Sequence, residues 1–84
     1  MVKWNEWIPT DIEYDWEADK LRHHGLTYEE AEQCFFNGFE IRQNKQYTDR
    51  YKLYGHTDAG RALVIIFQLK PGNIVRIITG WQKK

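Results

Sequence analysis

Eighty-four residues with twelve Lys and Arg against twelve Asp and Glu, a formal net charge of zero, allow one small domain with a single core. No run approaches the roughly 20 apolar residues of a membrane-spanning helix and no signal-peptide pattern opens the chain, so the expected location is the cytoplasm, away from membranes. The single cysteine, Cys34, excludes an internal disulfide and fits a reducing compartment.

The domain is expected to fill residues 1–84, with residues 1–10 as an N-terminal arm. Trp4, Trp7 and Ile8 precede Pro9 with no clear period, which is compatible with packing on the core edge, extending a sheet or touching a partner. Asp11 to Tyr14 reads as a short strand. Asp15 can cap a helix from Trp16 to His24, with Gly25 just past its end, where a left-handed residue is needed. His23 and His24 would then sit at the negative end of the helix dipole. Thr27-Tyr28-Glu29-Glu30 is a capping box flanked by Leu26 and Ala31 at the staple positions. It predicts a helix from Tyr28 to about Phe36, stopped by Asn37-Gly38, with Tyr28, Ala31, Phe35 and either Cys34 or Phe36 facing inward.

Four strands are expected after that. Phe39 to Arg42 alternates like a half-buried strand, and a polar loop runs from Gln43 to Asp49. Arg50 to His56 alternates again, placing Arg50, Lys52, Tyr54 and His56 on one face and Tyr51 and Leu53 on the other. After a turn at Thr57–Gly60, the apolar run Ala62 to Leu69 reads as a strand buried on both faces. Lys70-Pro71-Gly72-Asn73 supplies a turn into a last strand, Ile74 to Trp81. Arg76 shares a strand face with Ile74 and Ile78 and is expected to be costly there unless paired or lining a site. The layout is an α+β domain: two helices packed on a four- to five-stranded antiparallel sheet, with Phe35, Leu63, Ile65, Phe67, Val75 and Ile77 in the core.

Charge is unevenly spread. Residues 1–33 hold nine acids and three bases, a net of −6, and residues 34–84 hold nine bases and three acids, a net of +6. Either the strand-rich half faces an anion or the two halves neutralise each other in the fold. His23 and His24 diverge by about 100° on a helix, and neither Cys34 nor His56 has metal-motif spacing, so no metal and no cofactor are expected. What remains is a strand-borne set of cations interleaved with rings: Arg42, Arg50, Lys52, Tyr54, His56, Arg61 and Arg76. Cations meet phosphates and rings stack bases, so such a face suits a single-stranded nucleic acid. Metal-free RNA cleavage would further require proton transfer, for which His24 or His56 has the right chemistry, and an arginine against the extra phosphate charge.

Four pieces of the chain resemble the BrnT family, the toxins of BrnT/BrnA type II toxin–antitoxin pairs. They are His24-Gly25-Leu26-Thr27-Tyr28-Glu29-Glu30-Ala31, Asp49-Arg50-Tyr51, Gly55-His56-Thr57-Asp58-Ala59-Gly60-Arg61-Ala62-Leu63 and Arg76-Ile77-Ile78-Thr79. The resemblance implies a RelE-like ribonuclease fold, an RNA substrate and a cognate antitoxin protein that neutralises the toxin. It also implies His24, Arg50, Arg61 and Arg76 as catalytic positions, while the strand-borne pattern of cations and rings gives Arg42, Lys52, Tyr54 and His56 as RNA contacts. The chain departs from the family at His23, where Lys is usual, and at Gly80-Trp81, where Ala-Arg is frequent. It stops at Gln82-Lys83-Lys84, ahead of the family's charged last helix, and weakened cleavage is expected from that difference.

Overall fold

The computed structural model describes residues 7–43, 46 and 49–83. Along the chain run β1 (Asp11–Tyr14), α1 (Lys20–His23), α2 (Tyr28–Cys34), β2 (Glu40–Gln43), β3 (Arg50–His56), β4 (Ala62–Lys70) and β5 (Ile74–Gln82). The strands form one five-stranded sheet in the order β1-β5-β4-β3-β2. Four consecutive strands pair antiparallel as a meander, but β1 joins the β5 edge in parallel, Tyr14 opposite Ile77. The fold is therefore α+β with a mostly antiparallel sheet, and the expectation of a wholly antiparallel one is corrected by this pair.

Alternation assigns the two faces. Leu53, Leu63, Ile65, Phe67, Val75 and Ile77 point to the helix side and pack with Leu21, Leu26, Ala31, Cys34 and Phe35, all buried. Trp7 closes one end of this core, with its ring 6.0 Å from that of Phe67 and 6.1 Å from that of Phe35. The part of the arm that holds Trp4, and most of the loop expected over Gln43–Asp49, lie outside the described residues. Because Val64 (3% exposed) and Ile66 (9%) are also covered, β4 is buried on both faces, as its continuous apolar run requires.

The capping box forms in full: the Thr27 hydroxyl accepts from the Glu30 amide, and the Glu30 carboxylate accepts from the Thr27 amide. α2 follows for two turns with Ala31 and Cys34 inward, whereas Phe36 is exposed. The helix expected over Trp16–His24 shrinks to the single turn of α1. Asp15 does act as a cap, accepting from the amides of Glu17 and Ala18, but what it caps is a turn. Asp19 then adopts a left-handed φ of 41°, which interrupts helical geometry. The Tyr14 hydroxyl holds it there, donating to the Asp19 carboxylate at 2.6 Å and accepting from the Leu21 amide at 2.9 Å. A tertiary contact outweighs local helix propensity in this stretch.

One irregularity governs the site. The β4–β5 register slips between Ile66 and Phe67, so Thr79 faces Ile66 while Ile77 faces Phe67, and Ile78 is the extra residue of a bulge. Past the bulge the side-chain parity of β5 reverses. Gly80 turns inward opposite Ile65, and Thr79 and Trp81 turn outward. Glycine is required there, because a Cβ would lie 2.7 Å from Ile65 Cδ1 and 2.9 Å from the Val64 carbonyl oxygen.

Candidate nucleic-acid interface

The helices cover one face of the sheet, and the opposite face carries the strand-borne cations. Cross-strand register arranges them in rows, about 6.6 Å apart along the strands. The first row runs Arg50, Gln68, Arg76, Glu13; the second Arg42, Lys52, Ile66, Thr79; the third Glu40, Tyr54, Val64, Trp81; the fourth His56 and Ala62. Two rows of cations thus adjoin a row with two rings. Tyr54 is itself flanked by cations, the Arg42 guanidinium 5.3 Å and the Lys83 ammonium 5.5 Å from its ring centroid.

The carboxylates on this face are already engaged. Glu40 accepts from Arg42 at 3.0 Å, Glu13 from Lys70 at 2.7 Å, and Asp49 from Gln68 at 2.7 Å. The Arg76 side chain, although opposite Glu13 in register, makes no ion pair or hydrogen bond with another described residue. Arg76 is exposed, so it escapes the cost expected of a cation beside Ile74 and Ile78. Beside the first row, the segment after β1 closes a cavity of about 230 Å³ lined by Asp15, Lys20, Arg50, Gln68, Arg76 and Ile78. Three cations against one carboxylate give that lining a formal charge of +2.

The four residues that the resemblance implies as catalytic divide into two pairs. Arg50 and Arg76 share the cavity. Arg61 lies beyond the other end of β4, about 23 Å of strand from Gln68, and turns to the helix side. It forms an ion pair with Glu30 at 3.0 Å and donates to the Gly25 carbonyl at 3.3 Å and to Gln82 Oε1 at 3.0 Å. His24 is near it, exposed, with its ring 6.5 Å from that of Trp81. His56 is exposed at the end of the fourth row. Neither histidine lines the cavity with Arg50 and Arg76.

Arg61 has a visible electrostatic effect. Burial pulls the Glu30 carboxyl upward, but the Thr27 backbone hydrogen bond and the Arg61 guanidinium outweigh it and hold the group below its ordinary value. Cys34 is fully buried with its thiol pushed up to about 11 by burial and by Glu30, which leaves it a packing residue. Among the described residues no group of three or more His, Cys, Asp or Glu could hold a metal ion.

Sequence reasoning missed Trp81, Lys20 and Gln68. Simple alternation puts Trp81 on the Ile77 face, and only the bulge brings it opposite Val64, in the same cross-strand row as Tyr54. The signal was Gly80, since a glycine inside a strand marks a bulge or a close approach. Lys20 reaches the cavity because α1 starts four residues later than its sequence pattern predicts. Within this two-layer α+β class, with its cationic, ring-bearing open face, no protein-family model, curated protein or solved structure matches the chain.

Proposed function

We propose that this chain binds single-stranded RNA across the open face of its sheet, phosphates against Arg50, Lys52 and Arg76 and bases against Tyr54 and Trp81. The carrying observation is the row order, cations then rings, on a face whose carboxylates are already engaged. The chain as a whole is neutral, so this local arrangement, not net charge, supplies the attraction. The resemblance to BrnT supports RNA as the nucleic acid. Stacking on Tyr54 and Trp81 contributes about 1–3 kcal/mol per base. Each phosphate neutralised releases counterions, so affinity falls with salt at a slope of about −0.7 per contact. Fluorescence anisotropy with a labelled twelve-nucleotide single-stranded RNA tests this. Arg76→Gln and Lys52→Gln are each expected to weaken binding and flatten the salt slope, while Arg22→Gln on the helix side leaves both unchanged. Binding that is equal in all four proteins would reject the open face.

A second reading, a metal-independent ribonuclease toxin neutralised by a cognate antitoxin, draws on one observation: Arg50 and Arg76 line the same cavity. In that reading they hold the scissile phosphate, and Arg61, tied to Glu30, Gly25 and Gln82, acts elsewhere, on stability. Inducing the chain alone in a bacterial host should arrest growth with loss of intact RNA, and Arg76→Ala should relieve the arrest in a folded protein. Intact RNA with normal growth under wild-type induction rejects the toxin and leaves the RNA-binding module.

A further inference from the structure

The helix side of the molecule presents an aromatic patch in which Tyr14 and Tyr28 pack against the core and Trp16 stands in water. Trp16 is 61% exposed although it is flanked by two tyrosine rings. Its ring lies 5.0 Å from that of Tyr14, edge-on at 85°, and 5.0 Å from that of Tyr28. The two tyrosine rings are 5.8 Å apart, which completes a triangle. The triangle is not a loose surface feature: Tyr14 is fixed by its bonds to Asp19 and Leu21, and Tyr28 is the first residue of α2. A large indole held in place yet left in water is a common mark of a contact surface.

Its electrostatic setting restricts what can sit on it. The Tyr28 phenol is pushed up to about 12 by burial and then by Glu32, Asp11 and Glu29. The Tyr14 phenol is likewise pushed up to about 12, by burial and then by Asp19, with Asp15 adding to the effect. Five carboxylates therefore act on the two hydroxyls. A polyanion is repelled here. A guanidinium or ammonium gains twice, from the ring faces and from the carboxylate rim.

We propose that the Trp16–Tyr14–Tyr28 patch docks a basic peptide segment of a partner protein, with an arginine or lysine side chain laid over the Trp16 ring. The choice of occupant rests on charge complementarity. The rings of the patch lie on the helix side, and the segment that carries Trp16 also reaches the cavity of Arg50 and Arg76 through Asp15 and Lys20.

The test uses the full chain and a fluorescein-labelled peptide of alternating arginine and glycine, followed by anisotropy. Wild type should bind it with an affinity that falls as salt rises, and a glutamate–glycine peptide should not bind. Trp16→Ala is expected to weaken binding about 5- to 30-fold, with Trp16→Phe intermediate. The double variant Glu29→Gln, Glu32→Gln should also weaken it, whereas Arg76→Gln, which tests the RNA face, should leave it unchanged. Because Trp16 is exposed, Trp16→Ala should keep the wild-type circular dichroism spectrum. Equal binding by wild type and folded Trp16→Ala overturns the proposal. So does a concentration-dependent dimer in sedimentation velocity that Trp16→Ala abolishes, since a second copy would then be the occupant.

Discussion

Arg61 separates a catalytic account from a structural one. In the structure its guanidinium ties three places together: the Gly25 carbonyl after α1, Glu30 in the first turn of α2, and Gln82 at the end of β5. The ion pair is partly shielded, at 30% and 27% side-chain exposure, and by itself contributes about 0.2–1 kcal/mol. The bonds to Gly25 and Gln82 add about 0.5–1.5 kcal/mol each, against up to about 2 kcal/mol of side-chain entropy lost in ordering the arginine. The net for Arg61→Ala is a loss of about 1.5 kcal/mol, or about 6–12 °C in melting temperature for a domain of this size. Arg61→Lys keeps the charge without the planar fork and should recover only part of it. The sign of the pH dependence follows from Glu30. Its folded value lies below the ordinary 4.5, so the stabilisation is present above that pH and is lost as pH falls through the folded value. The gap between wild type and Arg61→Ala should be full at neutral pH and narrow in acid. Thermal melts from pH 3 to 7 beside RNA anisotropy make the assay. An Arg61→Ala protein that melts like wild type but no longer binds or cleaves RNA would refute this reasoning and return Arg61 to the site.

Phe67→Ala removes a fully buried ring that meets Trp7, Phe35 and Tyr51, and should cost about 3–5 kcal/mol in denaturant unfolding; an unchanged midpoint would rule out this core. Gly80→Ala drives a Cβ against the Val64 carbonyl, which is backbone and cannot rotate away, so a loss of about 1–3 kcal/mol is expected, and wild-type stability would show the bulge to be misplaced. Tyr14 and Tyr28 should titrate near 12 in absorbance at 295 nm, and unfolding free energy should fall as pH rises from about 10 towards 12, since both folded values lie above the ordinary one. Tyr14→Phe should remove one of the two late phenols; two late phenols persisting in that variant would contradict the assignment.

How much of this was legible in the sequence depends on whether local rules decided the outcome. The Thr27–Glu30 capping box, the alternating β3 and the double-sided apolar β4 depend on short-range spacing, and they form as read. α1 was overestimated because the Tyr14 hydroxyl holds Asp19 in a left-handed conformation, a contact that no helical period announces. The parallel edge strand was illegible for a related reason: nothing in Asp11–Tyr14 specifies which edge it joins or in which direction. For the site, alternation correctly gathered Arg50, Lys52, Tyr54 and His56 on one face. It set Arg76 beside Ile74 and Ile78 as costly unless paired or lining a site, and in the structure the residue is exposed and lines the cavity with Arg50. Trp81 depended on a single extra residue in a ladder. Arg61 and His24 were grouped with Arg50 and Arg76 by resemblance, and the structure places neither of them in the cavity that Arg50 and Arg76 line.

The most direct measurement of the central claim follows the indole N–H signals of the tryptophans in a proton–nitrogen spectrum while a short single-stranded RNA is added. Trp81 stands in the aromatic row of the open face, Trp7 is in the core, and Trp16 is on the helix side, so each reports on a different part of the surface. RNA bound as proposed shifts the Trp81 indole, together with the Arg50 and Arg76 side-chain signals, and leaves Trp7 and Trp16 in place. Shifts confined to Trp16, or saturating RNA binding with Trp81 unmoved, would contradict the account.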